Sequence, residues 1–410
     1  MLISGGKVVL PDRVVDDGAV AVDETDGQIE AVGPRSEVRP ARPGEKVLDA
    51  AGGIIAPGFV DLHCHGGWGA DFMDGALEDF DTITAYHACH GTTSLLATST
   101  SAETDVILAM LQTAREAMAR GTPGSQVLGA HLEGPWLNPA MRGCHLERYC
   151  RPPSPAERQA VMEYMPEIRS VTLSPEVEGC MDLARDLDAA GILVSAGHSS
   201  LTYDEMMDAI EAGVRHVTHI YCAMSTVVRK GPWRHPGVIE TALVEHRLTT
   251  EMIADGKHLP TCLMQLVYRC KGPDRLILVS DAMRGAGMPP GGKYTFGPRD
   301  GTEVLIADGV AMLPDLTAFA SSITPLDRMV RNVVEMVGVP LHEAIRMASL
   351  APARIIGVAE RKGSLEPGKD ADLCIMNDEF CVRQSIMGGK MLDMEHLSSL
   401  APPEAEQPET

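Results

Sequence analysis

The sequence predicts an α/β protein: a (β/α)8 TIM barrel with a small β-sandwich domain formed from both chain termini. Eight apolar, β-rich runs recur through the middle of the 410-residue chain. The stretches between them carry apolar residues at three- and four-residue spacing, as helices packed on a sheet do. Both ends instead show short alternating strands broken by Gly and Asp.

Residues 1–52 open with LISGGKVV, DDGAVAVD and GQIEAVG, the texture of a small β piece. GSLEPGKDADLCIMN and VRQSIMGGKMLDM repeat it near the other end, so the two termini are expected to pair, residues 1–52 with 359–398. Between them, over residues 53–358, the strand candidates are GGIIAPGFVDLH, TTSLLATST, VLGAHLEG, SVTLSPE, ILVSAGHS, HVTHIY, TTEMIADG and RLILVSDA. The helical candidates include AETDVILAMLQTAREAMARG, MDLARDLDAAG, TYDEMMDAIEAG and TCLMQLVYRC. Eight such units at this length indicate a TIM barrel, and no GxGxxG follows the first strand to favour a doubly wound sheet. The last stretch, 399–410, reads as a disordered tail.

Composition narrows the function. Hydrophobic residues make up 44% and charged residues 22%, which suits a globular chain with a sizeable core. Lys and Arg number 35 against 57 Asp and Glu, and the resulting charge of −22 repels nucleic acid and anionic lipid. Aromatics are only 4%, so platforms for base stacking are scarce. No apolar run reaches the roughly 18 residues of a membrane span, and the ten cysteines form no CxxC pair. Free thiols in a cytoplasmic protein are the expectation.

Polar residues gather where barrel physics places an active site, at the C-terminal ends of the strands. The first candidate strand ends in His63-Cys64-His65, the third in Glu133, the fifth in His198, the sixth in His219 and the eighth in Asp281. In an extended strand residues i and i+2 share a face, so His63 and His65 can address one ion. Chance alone yields about half an HxH pair in such a chain, and a single strand-end His is more often a hydrogen-bonded core residue than a ligand. The four strand ends that carry His63 with His65, Glu133, His198 and His219 together point to a metal. Imidazole nitrogens with a carboxylate suit Zn or Fe, whereas Ca and Mg prefer oxygen. Asp281 could serve as a general base beside the ion, its alternative being an N-cap. His131, two residues before Glu133, is either packed or supports the ligands. His87, His90, His216, His246, His342 and His396 read as structural or solvated.

PGFVDLHCHGGWGADFMD, HLEGPWLNP, RGCH, SAGHSS, THIYCAMS, ADGKHLP, LVSDAMRGAG and SLAPARIIGV followed by KGSLEPGKDADLCIMN occur in that order. In this the chain resembles the N-acetylglucosamine-6-phosphate deacetylases of the amidohydrolase superfamily. The resemblance implies a barrel with a small β domain, one or two divalent metals per subunit, a homodimer, and hydrolysis of the acetamide of an amino sugar phosphate. It implies that Glu133, His198 and His219 hold the principal metal and His63 with His65 a second. It also makes Asp281 the acid/base, His145 of RGCH the group that orients or polarises the acetamide, and His258 a sugar contact. Phosphate recognition would fall to Cys222, Ala223 and an Arg234 given by the partner subunit. Here the chain departs from the pattern: Cys222-Ala223-Met224 stands where the family has Asn-Ala-Met, and a thiol is a poor amide donor. Phe319-Ala320-Ser321-Ser322 replaces a glycine-rich segment. The alternative is therefore a deacetylase for another N-acyl amino sugar or small amide. A non-catalytic barrel is disfavoured by the intact set of ligand-type residues.

Overall fold

A computed structural model of the chain describes residues 1–402. Its centre is a sheet of eight parallel strands: β1 (Phe59–Cys64), β2 (Thr92–Thr98), β3 (Gln126–Glu133), β4 (Ile168–Leu173), β5 (Leu193–Ala196), β6 (His216–Val217), β7 (Thr249–Met252) and β8 (Leu276–Leu278). They pair in chain order. The eight runs predicted from the sequence are these strands. Helices cover the outer face of these strands while the barrel fills the inner one, and all seven residues of β2, four of them Thr or Ser, are buried.

The barrel seam lies between β1 and β8. A parallel bridge joins Cys64 to Ala282, and Asp281 donates its backbone N–H to the His63 carbonyl at 2.8 Å. Asp61 strengthens the seam, its Oδ1 accepting the backbone N–H groups of His63 and Ser280, each at 3.3 Å. The predicted helices appear as Thr104–Arg120, Cys180–Ala189, Tyr203–Glu211 and Thr261–Lys271. Their apolar stripes complete the largest buried cluster of the protein.

Both termini enter a second, mostly antiparallel sheet. Leu2–Val9 pairs with Val14–Asp23, and Leu373–Met376 and Val382–Met387 extend the same sheet from the far end. The run GGIIAPGFVDLH, expected as one barrel strand, divides between the two sheets. Ile54–Pro57 pairs antiparallel with Leu373–Met376, and only Phe59–Cys64 enters the barrel. Gly58 is the crossing point, where a Cβ would lie 2.2 Å from the Thr93 hydroxyl, so any larger residue would push β1 off β2. The expected tail 399–410 begins one residue inside a helix, Met394–Ser399, and its residues from 403 onward lie outside the described part.

Two additions crown the barrel mouth. One is an exposed hairpin, Val228–Lys230 with Trp233–His235. The other is a three-stranded meander, Lys293–Phe296, Thr302–Ala307 and Val310–Met312. Asp308 and Gly309, with φ of 52° and 75°, form its tight Asp-Gly turn. Among the described residues no helix is long and apolar enough to cross a membrane.

Candidate metal centre

A cavity of about 430 Å³ opens at the C-terminal ends of the strands, with Glu133, His145, His198, His219 and Asp281 in its wall. The backbone is bent to aim them. His198, His219 and Asp281 have φ of 48°, 25° and 45°, a left-handed conformation that side chains resist. Such strain at three strand ends persists only where the surrounding packing enforces it, and it turns each side chain from the barrel wall into the mouth.

The donor atoms fall into two groups that share Glu133. In the first, Nε2 of His63 lies 3.3 Å from Nε2 of His65, and His65 Nε2 lies 3.3 Å from both Glu133 Oε2 and Asp281 Oδ1. His63 Nε2 stands 3.6 Å and 3.5 Å from the same two oxygens. In the second, Glu133 Oε1 lies 3.2 Å from His198 Nε2 and 3.0 Å from His219 Nε2. A zinc-type ion bonds at about 2.0–2.2 Å, and tetrahedral geometry then separates its ligands by roughly 3.3–3.6 Å. Each spacing of the first group is within that range, and the second is slightly tighter. The residues fit a divalent metal in both groups, with one Glu133 oxygen turned to each.

The chemistry of the nitrogens agrees. His198 Nδ1 faces the carbonyl oxygen of Met141 at 2.8 Å and must donate to it, which leaves Nε2 as a lone pair towards Glu133. These buried lone pairs and carboxylates converge without a side-chain cation among them, an arrangement that demands positive charge from protons or a metal. Burial disfavours the imidazolium of His63, but the carboxylates of Glu133, Glu251 and Asp281 outweigh it and move its pKa well upward. His65 is raised to about 9 by the same contest between burial and the Asp281 and Glu133 carboxylates. Glu133 and Asp281 are pushed down: burial opposes their ionisation, and the neighbouring histidines, His63 foremost, overcome it.

His145 is of a different kind. Its Nδ1 accepts the backbone N–H of Ser101 at 3.2 Å, so the proton of the neutral ring sits on Nε2, 3.3 Å from Glu133 Oε2. Burial lowers its pKa to about 4, against the pull of Glu133, and keeps it a neutral donor at the cavity floor. Asp281 accepts from the Ser321 hydroxyl at 2.9 Å. His258 is fixed through Nδ1 by Asp255 at 2.7 Å and packs against the Phe319 ring, tilted by 47° with the ring centres 4.8 Å apart.

Cys222, Ala223 and His258 line the cavity, together with Cys144, Phe296 and Phe319. Among the described residues no Arg or Lys lines it. Arg234 is in the exposed hairpin, its guanidinium on the Pro232 carbonyl, and is not part of the cavity wall. His131 reaches the Thr172 hydroxyl at 2.7 Å and packs its ring on His63, outside the cavity.

Two participants escape the sequence reading. Glu251 on β7 is 3% exposed and meets His63, His216 and the backbone of His219. His216, expected to be structural or solvated, is fully buried against it. The signal was slight, one of two acidic residues in the run TTEMIADG. Phe296 comes from the meander, whose alternation flanking the Asp308-Gly309 pair is legible as a hairpin but not as a lid on the site. A third buried group, Asp61, Cys64 and His87, lies outside the cavity wall.

Comparison with known proteins agrees with this geometry. Residues 54–392 match the Amidohydrolase family. The chain is 35% identical over 401 residues to the N-acetylglucosamine-6-phosphate deacetylase of Bacillus subtilis (strain 168), covering 95% of this chain and 96% of that one. It is 36% identical over 339 residues to the N-acetylgalactosamine-6-phosphate deacetylase of Escherichia coli O157:H7, covering 82% and 87%. The crystal structure of N-acetylglucosamine-6-phosphate deacetylase from Pasteurella multocida superposes with a TM-score of 0.87 at 29% identity, over 95% of this chain and 98% of that one. The chain belongs to the amidohydrolase family.

Proposed function

We propose that this protein hydrolyses the acetamide of N-acetylglucosamine 6-phosphate to glucosamine 6-phosphate and acetate. The observation that carries the reading is the pair of donor groups meeting at Glu133, with Glu133, His198, His219 and Asp281 in the cavity wall and His63 and His65 buried behind them, in a chain whose relatives are amino-sugar-phosphate deacetylases. Glu133, His198 and His219 would hold the principal ion and His63, His65 and Asp281 a second, Zn or Fe by donor type. Such an ion supplies Lewis acidity and lowers the pKa of water. The protein's own groups do the rest. Asp281, with one oxygen among the donors, takes the proton of the attacking water and passes it to the departing amine. His145, neutral and protonated on Nε2, donates to the carbonyl oxygen as negative charge develops there. His258, Cys222 and Ala223 line the sugar's side of the cavity.

The phosphate needs a cation that this chain's cavity lacks. Arg234 is exposed on a hairpin at the barrel mouth, and a homodimer in which the partner subunit's Arg234 reaches the cavity supplies it. All ten cysteines are free, which supports a reducing, cytoplasmic setting. A second reading has its own observation: with Cys222, Cys144 and Phe319 in the wall and, among the described residues, no Arg or Lys beside them, the cavity suits an uncharged N-acyl substrate.

Acetate release by the metal-reconstituted protein decides between them. N-acetylglucosamine 6-phosphate is assayed beside N-acetylgalactosamine 6-phosphate, the unphosphorylated sugar and the mannosamine analogue. At least tenfold higher kcat/KM for the glucosamine phosphate is expected. Equal turnover of the unphosphorylated sugar overturns the phosphate assignment and leaves the second reading.

A further inference from the structure

We propose that Glu251 is a positioning residue that couples the two metal groups; the inference rests on the metal-dependent reading of the site. Glu251 stands on β7, and its carboxylate touches one member of each group. Oε2 lies 2.9 Å from His63 Nδ1 and accepts the backbone N–H of His219 at 3.1 Å. Oε1 lies 3.3 Å from His216 Nε2, whose ring is fixed from the other side by the Thr249 hydroxyl at 2.6 Å. His63 comes from β1 and is 188 residues away, so the contact crosses the barrel interior.

The consequence follows from donor chemistry. An ionised carboxylate only accepts, so the proton of the neutral His63 ring is held on Nδ1 and its Nε2 lone pair is turned to His65, Glu133 and Asp281. Carboxylate support of this kind orients a ligating imidazole and raises its basicity. The same oxygen holds the N–H of His219, a residue whose φ of 25° the chain would otherwise relax. A shift of Glu251 therefore disturbs a ligand in each group at once. His216, not in either group, completes the carboxylate's partners and fixes its orientation.

The test is zinc and cobalt titration of the metal-free full-length protein, followed by ion counting and cobalt absorbance, for the unaltered chain, Glu251→Gln and Glu251→Ala. Glu251→Ala is expected to weaken the more labile ion 10- to 100-fold, weaken the tighter ion as well, and alter the cobalt spectrum. Glu251→Gln keeps an acceptor oxygen for His63 and His219, and is expected to lose three- to tenfold and so rescue most of the effect. Unchanged affinity for both ions in Glu251→Ala overturns the proposal. So does a single ion per unaltered chain, since nothing is then coupled. If Glu251→Ala does not fold, Glu251→Gln decides: a three- to tenfold weaker labile ion supports the role, and unchanged affinities overturn it. These readouts need no substrate, so failure of the deacetylase reading and failure of this one are separable.

Discussion

The buried charges at the barrel mouth and those at its flank are built on opposite rules. At the flank, Glu157 is 5% exposed and every oxygen has a donor: Arg151 and the Thr104 hydroxyl on Oε1, and the Trp136 indole N–H at 3.0 Å on Oε2. Lys271, 2% exposed, gives its ammonium to the carbonyls of Ala242 at 2.7 Å and Glu245 at 2.9 Å, closing the helix Val238–Val244. Donors there match acceptors. At the mouth, the Nε2 atoms of His63, His65, His198 and His219 converge on the carboxylates of Glu133 and Asp281, and among the described residues Nδ1 of His65 and Nδ1 of His219 have no hydrogen-bond partner. A site that saturates its own hydrogen bonds stabilises the fold, and one that leaves them convergent is held for a ligand.

The sharpest way to break this contrast is at Glu133. Glu133→Gln keeps shape and removes the charge shared by both groups. The expected outcome is a fall in kcat/KM of at least about 10³-fold with loss of bound ion. Retention of both ions at unchanged affinity would take Glu133 out of the metal site. Asp281→Asn comes next: a loss of roughly 10²–10⁴-fold is expected for an acid/base group, with the ion of Glu133, His198 and His219 retained on metal analysis. Unchanged turnover would take Asp281 out of the chemistry.

At the flank the expected outcome reverses. Glu157→Ala leaves the Trp136 indole and the Arg151 guanidinium without their acceptor, which costs about 2–4 kcal/mol for a partly exposed pair. Denaturant titration should show that loss, while kcat/KM per folded molecule stays within about twofold of the unaltered chain.

The same contrast explains what was legible in the sequence. The eight strands could be read because strands covered on both faces are rich in apolar and β-branched residues, and His63, His65, Glu133, His198, His219 and Asp281 stood out because each lies at the end of such a run. Glu251 lies in the interior of its run, where an acidic residue has no positional signature, and its meaning depends on His63 across the barrel. Pairings at that separation are a property of barrel closure, not of local pattern. Ile54–Pro57 and Phe59–Cys64 are both buried throughout, and the chain passes from one sheet to the other at Gly58, where there is no room for a Cβ beside Thr93. Arg234, expected at the phosphate, lies instead on the exposed hairpin outside the cavity wall, a placement that no local pattern around it distinguishes.

Lys271 offers the finest test of the flank. Burial, aided by the nearby Arg275 charge, lowers its pKa from 10.5 to about 8. Below pH 8 the ammonium is charged in both folded and unfolded chains, and its desolvation opposes folding in full. Between pH 8 and 10.5 the unfolded chain binds more protons than the folded one, so this residue makes stability rise with pH, by at most about 1.4 kcal/mol per unit. The neutral amine still donates to Ala242 and Glu245, so the helix end stays capped. Lys271→Met removes the titration and the cap together. Urea unfolding of both proteins at pH 7, 8, 9 and 10 should show the stability difference between them widening above pH 8 in favour of the unaltered chain. A difference constant with pH would mean that solvent reaches Lys271, and that the flank is less tightly closed than its hydrogen bonds indicate.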